Sequence, residues 1–366
     1  MRTAIVTDGK YRSAIAAVRA LGRAGYQVIV TQTRGDSSIE PPAFSSKYAD
    51  GVWIEGSVTE KEYPDRLLKV IEGCDTPVLF PVGAGTLNVI AADKERFEKA
   101  AYFLVADKYV LDALNNKETV HERAADFGFR VPKEYEGEPD SYPVVIKPHC
   151  GEKLGLKAGD RYTVAKNAEE FKEKLAKMRE YDPEPLVQEK VEGDGRGVSL
   201  LLGRDGELLS AICHRRLREY PASGGPSTLC VTEYDELAIK KAHKLLRSFG
   251  FTGMAMVEFK GDAILEVNPR VWGSFPLTVF AGSSFTENYA KAASGEKVGY
   301  KPRDYELGKK MRFAINDLAA SADLIRHGRI GKGLAGLVDF FRVPEALKDK
   351  DDPAPYKKYV RSYYKR

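Results

Sequence analysis

Cysteine is scarce and scattered. Cys74, Cys150, Cys213 and Cys230 are the four in 366 residues, and no two stand as a CxxC pair. That spacing excludes a zinc ribbon or a disulfide framework and suits a reducing compartment. No apolar run reaches the roughly 18 residues that a membrane span requires, so no transmembrane segment is expected. The opening Met1-Arg2-Thr3-Ala4-Ile5-Val6 enters a strand-like stretch with no secretory leader in view, and a cytoplasmic location is the expectation. Neither sign of charge dominates: 57 Lys and Arg against 53 Asp and Glu leave a net +4. That balance does not call for nucleic acid, although it suits an anionic ligand. The five histidines, His121, His149, His214, His243 and His327, offer no paired constellation for nucleophilic catalysis.

What is present is the composition of an ordinary soluble chain, 43% hydrophobic and 30% charged, long enough for two or three lobes. Residues 3–7 read as a buried strand, followed by a helix near Ser13–Ala24 and a strand over Gln27–Thr31, the opening of a parallel α/β sheet. The first turn lacks Gly-x-Gly-x-x-Gly, which argues against a tightly held dinucleotide. Another strand, Pro77–Val82, ends in Gly83-Ala84-Gly85-Thr86, either an anion-holding helix start or a plain turn. From Leu111 the pattern becomes α+β. A helix spans about Lys117–Phe127, and a strand over Tyr142–Pro148 carries Lys147 into a loop with Gly151, Lys153, Gly155, Lys157 and Gly159. A strand over Leu186–Val191, a hairpin around Gly203–Gly206, a helix near Glu236–Ser248 and two strands flanking Gly261-Asp262 complete this region. The divisions are placed at 1–110, 111–190, 191–300 and 301–366. The basic, aromatic run Tyr356–Arg366 reads as a solvated last helix, with contact to a membrane surface or anionic partner as the alternative.

The sharpest signal is the segment from Met256 to Arg270. Strand alternation puts Glu266 and Asn268 on one face. A turn centred on Asp262 with an odd number of loop residues would set Glu258 directly opposite Glu266, whereas an even two-residue turn would put it on the wrong side. Opposed carboxylates repel and require a positive charge between them; with the Asn268 oxygen they are hard ligands, suited to Mg²⁺ beside phosphates. Arg270 stands where a guanidinium can meet a phosphoryl group bidentately. A merely solvated acidic strand is the competing reading, and the apolar neighbours of both glutamates weigh against it. Lys147, at a strand end before a glycine-rich loop, fits a grip on polyphosphate, and Lys117 is a second candidate. Between His214 and Thr228, Arg215, Arg216, Arg218 and the Ser223-Gly224 turn suit an anionic acceptor or an acyl phosphate, with a solvated basic loop as the alternative. His214 is a candidate base.

In this order these pieces resemble the ATP-grasp superfamily, and within it the branch similar to the large chain of carbamoyl-phosphate synthetase. The resemblance covers roughly Arg2 to Ala293. It implies an N-terminal Rossmann-like pre-ATP-grasp domain (1–110), a small lobe (111–190), a metal-binding lobe (191–300) and a C-terminal helical extension (301–366). It places Lys117 and Lys147 on ATP phosphates, Gln188, Glu189, Lys190 and Val191 around adenine, Glu258, Glu266 and Asn268 on Mg²⁺, and Arg270 on the transferring group; Arg216 of the basic stretch is taken as a second catalytic candidate. The family's acidic ribose contact has only Glu192 and Asp194 available here, with Arg196 close by, and Asp194 is taken as the candidate. The implied activity is an ATP- and Mg²⁺-dependent ligase that makes an acyl phosphate from a small carboxylate and joins it to an amine or thiol. Bicarbonate or carbamate is the alternative acceptor, and a non-catalytic ATP-binding regulatory protein is the alternative of another class. A homodimer is possible. The region beyond Lys301 is expected to pack on the core or make an oligomer contact, and a cut after Lys350 to leave ATP binding intact.

Overall fold

The computed structural model describes residues 2–37, 39–149, 156, 162–221 and 225–363. The candidates Ser223 and Gly224, and the loop glycines and lysines at 151–159, lie outside the described residues.

The N-terminal unit is built from β1 (Thr3–Val6), α1 (Arg12–Arg23), β2 (Gln27–Thr33), β3 (Ala49–Ile54), α2 (Tyr63–Glu72), β4 (Val78–Phe80), α3 (Ala84–Ala92) and α4 (Lys94–Glu98). Its strands pair in parallel in the order β3-β2-β1-β4. Near-continuous apolar strands such as Ala4-Ile5-Val6 are what a sheet covered on both faces demands. Two helices follow, α5 (Lys108–Asn115) and α6 (Lys117–Asp126). Asn116 caps α6 by accepting from Thr119 N at 3.2 Å, which fixes Lys117 as its first residue.

A small sheet, order β6-β5-β7, comes from β5 (Val144–Lys147), β6 (Thr163–Ala165) and β7 (Leu186–Glu189), backed by α7 (Ala168–Arg179). It has its own core of Val144, Ile146, Ala165, Phe171, Met178 and Val187. By contrast α5 and α6 put Leu111, Leu114, Val120 and Ala124 into the larger core. That core runs from Ile5 and Leu79 of the first sheet to Val198 and Val257 of the largest one.

The largest sheet has the order β12-β11-β8-β9-β10-β13. Its strands are β8 (Gly195–Leu202), β9 (Leu208–Glu219), β10 (Ser227–Glu233), β11 (Gly253–Lys260), β12 (Ala263–Asn268) and β13 (Lys310–Arg312), with α8 (Glu236–Ser248) between β10 and β11. Beyond β12 come α9 (Phe275–Phe280) and α10 (Phe285–Ala293), and beyond β13 come α11 (Ala314–Arg326), α12 (Ile330–Arg342) and α13 (Ala354–Tyr363). Tyr289 of α10 donates to Leu79 O at 2.8 Å, and its ring meets Phe80 edge-on, so α10 fastens the two sheets together.

The β11–β12 hairpin reaches the expected register by an unexpected route. Its turn has two residues: Lys260 pairs with Ala263 and Phe259 with Ile264. A register shift follows, so that Glu258 pairs with Glu266 and Leu265 is the extra residue of a β-bulge. The bulge reverses the alternation. Ile264 is buried in the core while Glu266, two residues on, faces the other way. An odd-length turn was therefore the wrong device for the right pairing.

The C-terminal region is anchored at the other end of the molecule. Arg19 of α1 donates through Nε to Asp352 Oδ2 at 2.9 Å and through Nη1 to Leu347 O at 2.8 Å, with both charged side chains buried. Ser46 and the amide of Lys47 also donate to the Asp352 carboxylate. A cut after Lys350 therefore removes the counter-charge of a buried guanidinium. Asp352→Ala should lower unfolding stability by about 3–5 kcal/mol, measured by urea denaturation, and Arg19→Met in the same chain should recover part of that loss.

Candidate active site

One face of the β11–β12 hairpin collects the charged side chains. Glu258 Oε2 is paired with the Arg216 guanidinium of β9. Glu266 Oε2 lies 3.3 Å from Lys117 Nζ at the start of α6. Asn268 stands between the two carboxylates, its Nδ2 donating to Glu258 at 2.9 Å and to Glu266 at 3.3 Å. Arg270 closes the row, donating through Nη2 to Asn268 Oδ1 at 3.1 Å and through Nη1 to Val271 O. Lys147, at the end of β5, is buried and close enough to feel both Lys117 and Glu266. Four cations thus face Glu258 and Glu266 on one surface, with Glu219 beside Arg216 and Glu134 near Lys147 as further acids.

The electrostatics separate the two glutamates. Burial raises the Glu258 carboxyl, against the pull of Arg216, and the Glu266 charge raises it further. Burial works on Glu266 as well, but Lys117 and Lys147 outweigh it and hold that carboxyl down at about 2. Lys147 is lowered to about 8, by burial first and by Lys117 second. Two carboxylates and an amide oxygen form a hard donor set that a small divalent cation fits. To ligate it, Asn268 would turn its amide so that Oδ1 replaces Nδ2 between the glutamates.

At the other edge, Gln188 of β7 is buried and donates to Glu134 Oε1 at 2.6 Å. Glu189 accepts from Arg130 at 2.8 Å and from Lys133 N at 3.0 Å, and Lys190 pairs with Glu192. Val191 follows directly on that edge. Asp194 pairs with Arg215 at 2.9 Å.

The arginines of β9 do not act as one group. Arg215 and Arg216 are adjacent in an extended strand and so project to opposite faces. Arg215 joins Asp194 and Glu233, away from Glu258. The ladder then slips at Leu217, putting Arg218 opposite Leu229, whereas Arg216 is opposite Cys230. Arg218 is buried and held by Asp317 of α11 at 2.6 Å and Asp339 of α12 at 2.6 Å. Of the three arginines expected to meet an anionic acceptor, Arg216 stands in the row, while Arg215 and Arg218 are held by other carboxylates. His214 belongs to the same strand. It is buried against Ser274 Oγ at 3.1 Å, and burial together with Arg216 lowers it to about 3, so the ring stays neutral.

Sequence reasoning missed His121. It is 3% exposed, and its Nε2 meets the carbonyl of Leu265, the bulge residue, at 3.0 Å. Its Nδ1 meets Gln188 Nε2 at 3.2 Å and Glu134 Oε1 at 3.1 Å. One imidazole thus ties the bulge that sets the glutamate pair to the β7 edge of the small sheet. The available signal was spacing: His121 lies four residues after Lys117, on the same face of α6.

Residues 182–313 match the family described as ATP-grasp in the biosynthetic pathway with Ter operon. The chain is 27% identical to the carbamoyl phosphate synthase large chain of Thermotoga sp. (strain RQ2), across 81% of this chain and 28% of that one. It therefore spans little more than a quarter of the length of the relatives it matches. In fold it is similar to the biotin carboxylase domain of the Hydrogenobacter thermophilus 2-oxoglutarate carboxylase, solved as a dimer with MgADP, ADP and bicarbonate. That match has a TM-score of 0.64 at 14% identity and covers 85% of this chain and 74% of that one. An L-amino acid ligase from Bacillus licheniformis superposes with a TM-score of 0.58 at 14% identity, covering 81% and 77%. The family match across the glutamate hairpin and the fold along most of the chain together make residues 182–313 similar to ATP-grasp proteins, and the chain similar to one stretch of the carbamoyl phosphate synthase large chain.

Proposed function

We propose that this chain is an ATP- and Mg²⁺-dependent ligase that phosphorylates a small carboxylate and passes the acyl group to an amine or thiol. The observation that carries the reading is the row itself: two glutamates forced into opposition, an asparagine between them and four cations around them. On this reading residues 111–190 form a small lobe and 191–300 a metal-binding lobe, with ATP between them. Gln188, Glu189, Lys190 and Val191 line the adenine side. Lys117 and Lys147 hold the phosphates, and Glu258, Glu266 and Asn268 hold Mg²⁺, which when bound neutralises phosphate charge. Asp194, tied to Arg215 in this structure, would have to exchange partners to reach a ribose.

A carboxylate oxygen attacks the γ-phosphorus and the bond to the bridging oxygen of ADP breaks. Arg270 and Arg216 meet the transferring phosphoryl and the acyl phosphate, where charge is spread over several oxygens. A neutral amine then attacks the acyl carbon and phosphate leaves. Every protein contribution named is positioning and fixed charge.

Phosphate release from ATP and Mg²⁺ across a panel of carboxylates and amines tests this directly. One carboxylate–amine pair should stimulate release, and Glu266→Gln and Asn268→Ala should each reduce it by roughly 10²–10³-fold. Stimulation by bicarbonate alone would favour the carbamoyl-phosphate-like alternative, and Mg²⁺-dependent ATP binding without turnover on any pair would favour a regulatory protein.

The depressed Lys147 gives a pH dependence with a definite sign. Its charge is present below about 8 and lost as pH rises through that value. ATP affinity should therefore weaken from pH 7 to pH 9, with a proton taken up on binding at the higher pH. Lys147→Arg, which stays charged, should flatten the profile measured by calorimetry.

A further inference from the structure

Away from the row of charges, the hairpin of α11 and α12 presents an apolar surface to solvent. On α12, Ile330, Leu334, Leu337, Val338 and Phe341 recur at helical spacing and are all exposed, Phe341 to 88%. Leu318 and Ile325 of α11 extend the patch.

The helix cannot rotate to hide this face, because its other side is fixed. A side chain at Gly333 would stand 2.8 Å from Ser321 O, and one at Gly336 would stand 2.1 Å from Ser321 Oγ and 3.1 Å from Arg218 Cζ. Asp339 is held by Arg218, which also holds Asp317. The close packing on α11 and the buried ion pairs together set the outward direction of the stripe.

The charges around the patch decide what covers it. Arg326 and Arg329 stand exposed about the turn between the helices, and Arg342 stands at the far end of α12. The hairpin's acids are turned elsewhere: Asp317 and Asp339 to Arg218, Asp323 to His327 at 3.3 Å. An apolar stripe bracketed by cations is complementary to a surface that is apolar beneath and anionic above. Two copies packed through this face would bring two such sets of cations into one interface, which disfavours a self-contact.

We propose that the α11–α12 hairpin is a membrane-surface contact, in which the α12 stripe lies in the interfacial layer of a bilayer containing anionic lipid. The Arg218 ion pairs couple the hairpin directly to β9, so the ligase site is carried beside the lipid surface. This contact is independent of which reaction the site performs.

The test uses the full chain and vesicles of phosphatidylcholine, alone or mixed with phosphatidylglycerol, in a sedimentation assay. The chain should pellet with the anionic vesicles, weakly or not at all with the neutral ones, and less at high salt. Leu334→Ser with Phe341→Ser should weaken binding roughly tenfold or more while thermal unfolding stays unchanged. Arg326→Glu with Arg342→Glu should weaken binding to the anionic vesicles alone. The proposal is overturned if the wild-type chain stays in the supernatant with anionic vesicles. It is equally overturned if the apolar double variant pellets like wild type, which would assign the binding to the basic 356–366 run. A dimer in analytical ultracentrifugation that the same apolar substitutions dissolve would instead make the face a self-contact.

Discussion

Two like charges held opposite each other on neighbouring strands repel, and much of this molecule is arranged around one such pair. Glu258 and Glu266 face each other because Leu265 is extruded as a bulge; without that slip a two-residue turn would send one of them into the core. The repulsion is answered from three directions, by Arg216 from β9, by Lys117 and Lys147 from the α6 and small-lobe side, and by the Asn268 amide from within the strand. Each comes from a different part of the chain, so the site exists only in the folded protein.

Helix α6 is the mechanical link. Its capped first residue puts Lys117 on Glu266, and one turn later His121 holds the carbonyl of the bulge. The same imidazole reaches Gln188, on the edge strand β7 of the small sheet, and Glu134 beside it. The exposed Arg130 makes a second tie between the same parts, donating to Glu189 of β7 and to Asp262 in the hairpin turn.

Much of this was legible before any coordinates. The strands of the parallel sheet follow from their apolar runs and short connections, and the expense of burying charge pointed to Glu258 and Glu266 as a pair, although the turn assumed to pair them was not the one found. What could not be read were features decided by ladder irregularities. The bulge at Leu265 and the slip at Leu217 each reverse a facing without leaving a signature in residue type, so Arg218 looked like a partner of Arg216 and is instead a buried anchor for α11 and α12. His121 was hidden for another reason. Its partners are a backbone carbonyl 144 residues away and a glutamine 67 residues away, and no local pattern announces either.

The bond between Arg19 and Asp352 joins positions 333 residues apart. During synthesis α1 leaves the ribosome long before the carboxylate that neutralises its buried arginine has been made. The N-terminal sheet can form early from its own short connections, but its outer surface carries an unmatched guanidinium until residues 347–352 arrive. Completion of the first-made unit is thereby timed by a segment made hundreds of residues later, and nascent chains halted before that point are the ones on which a chaperone would find α1 open.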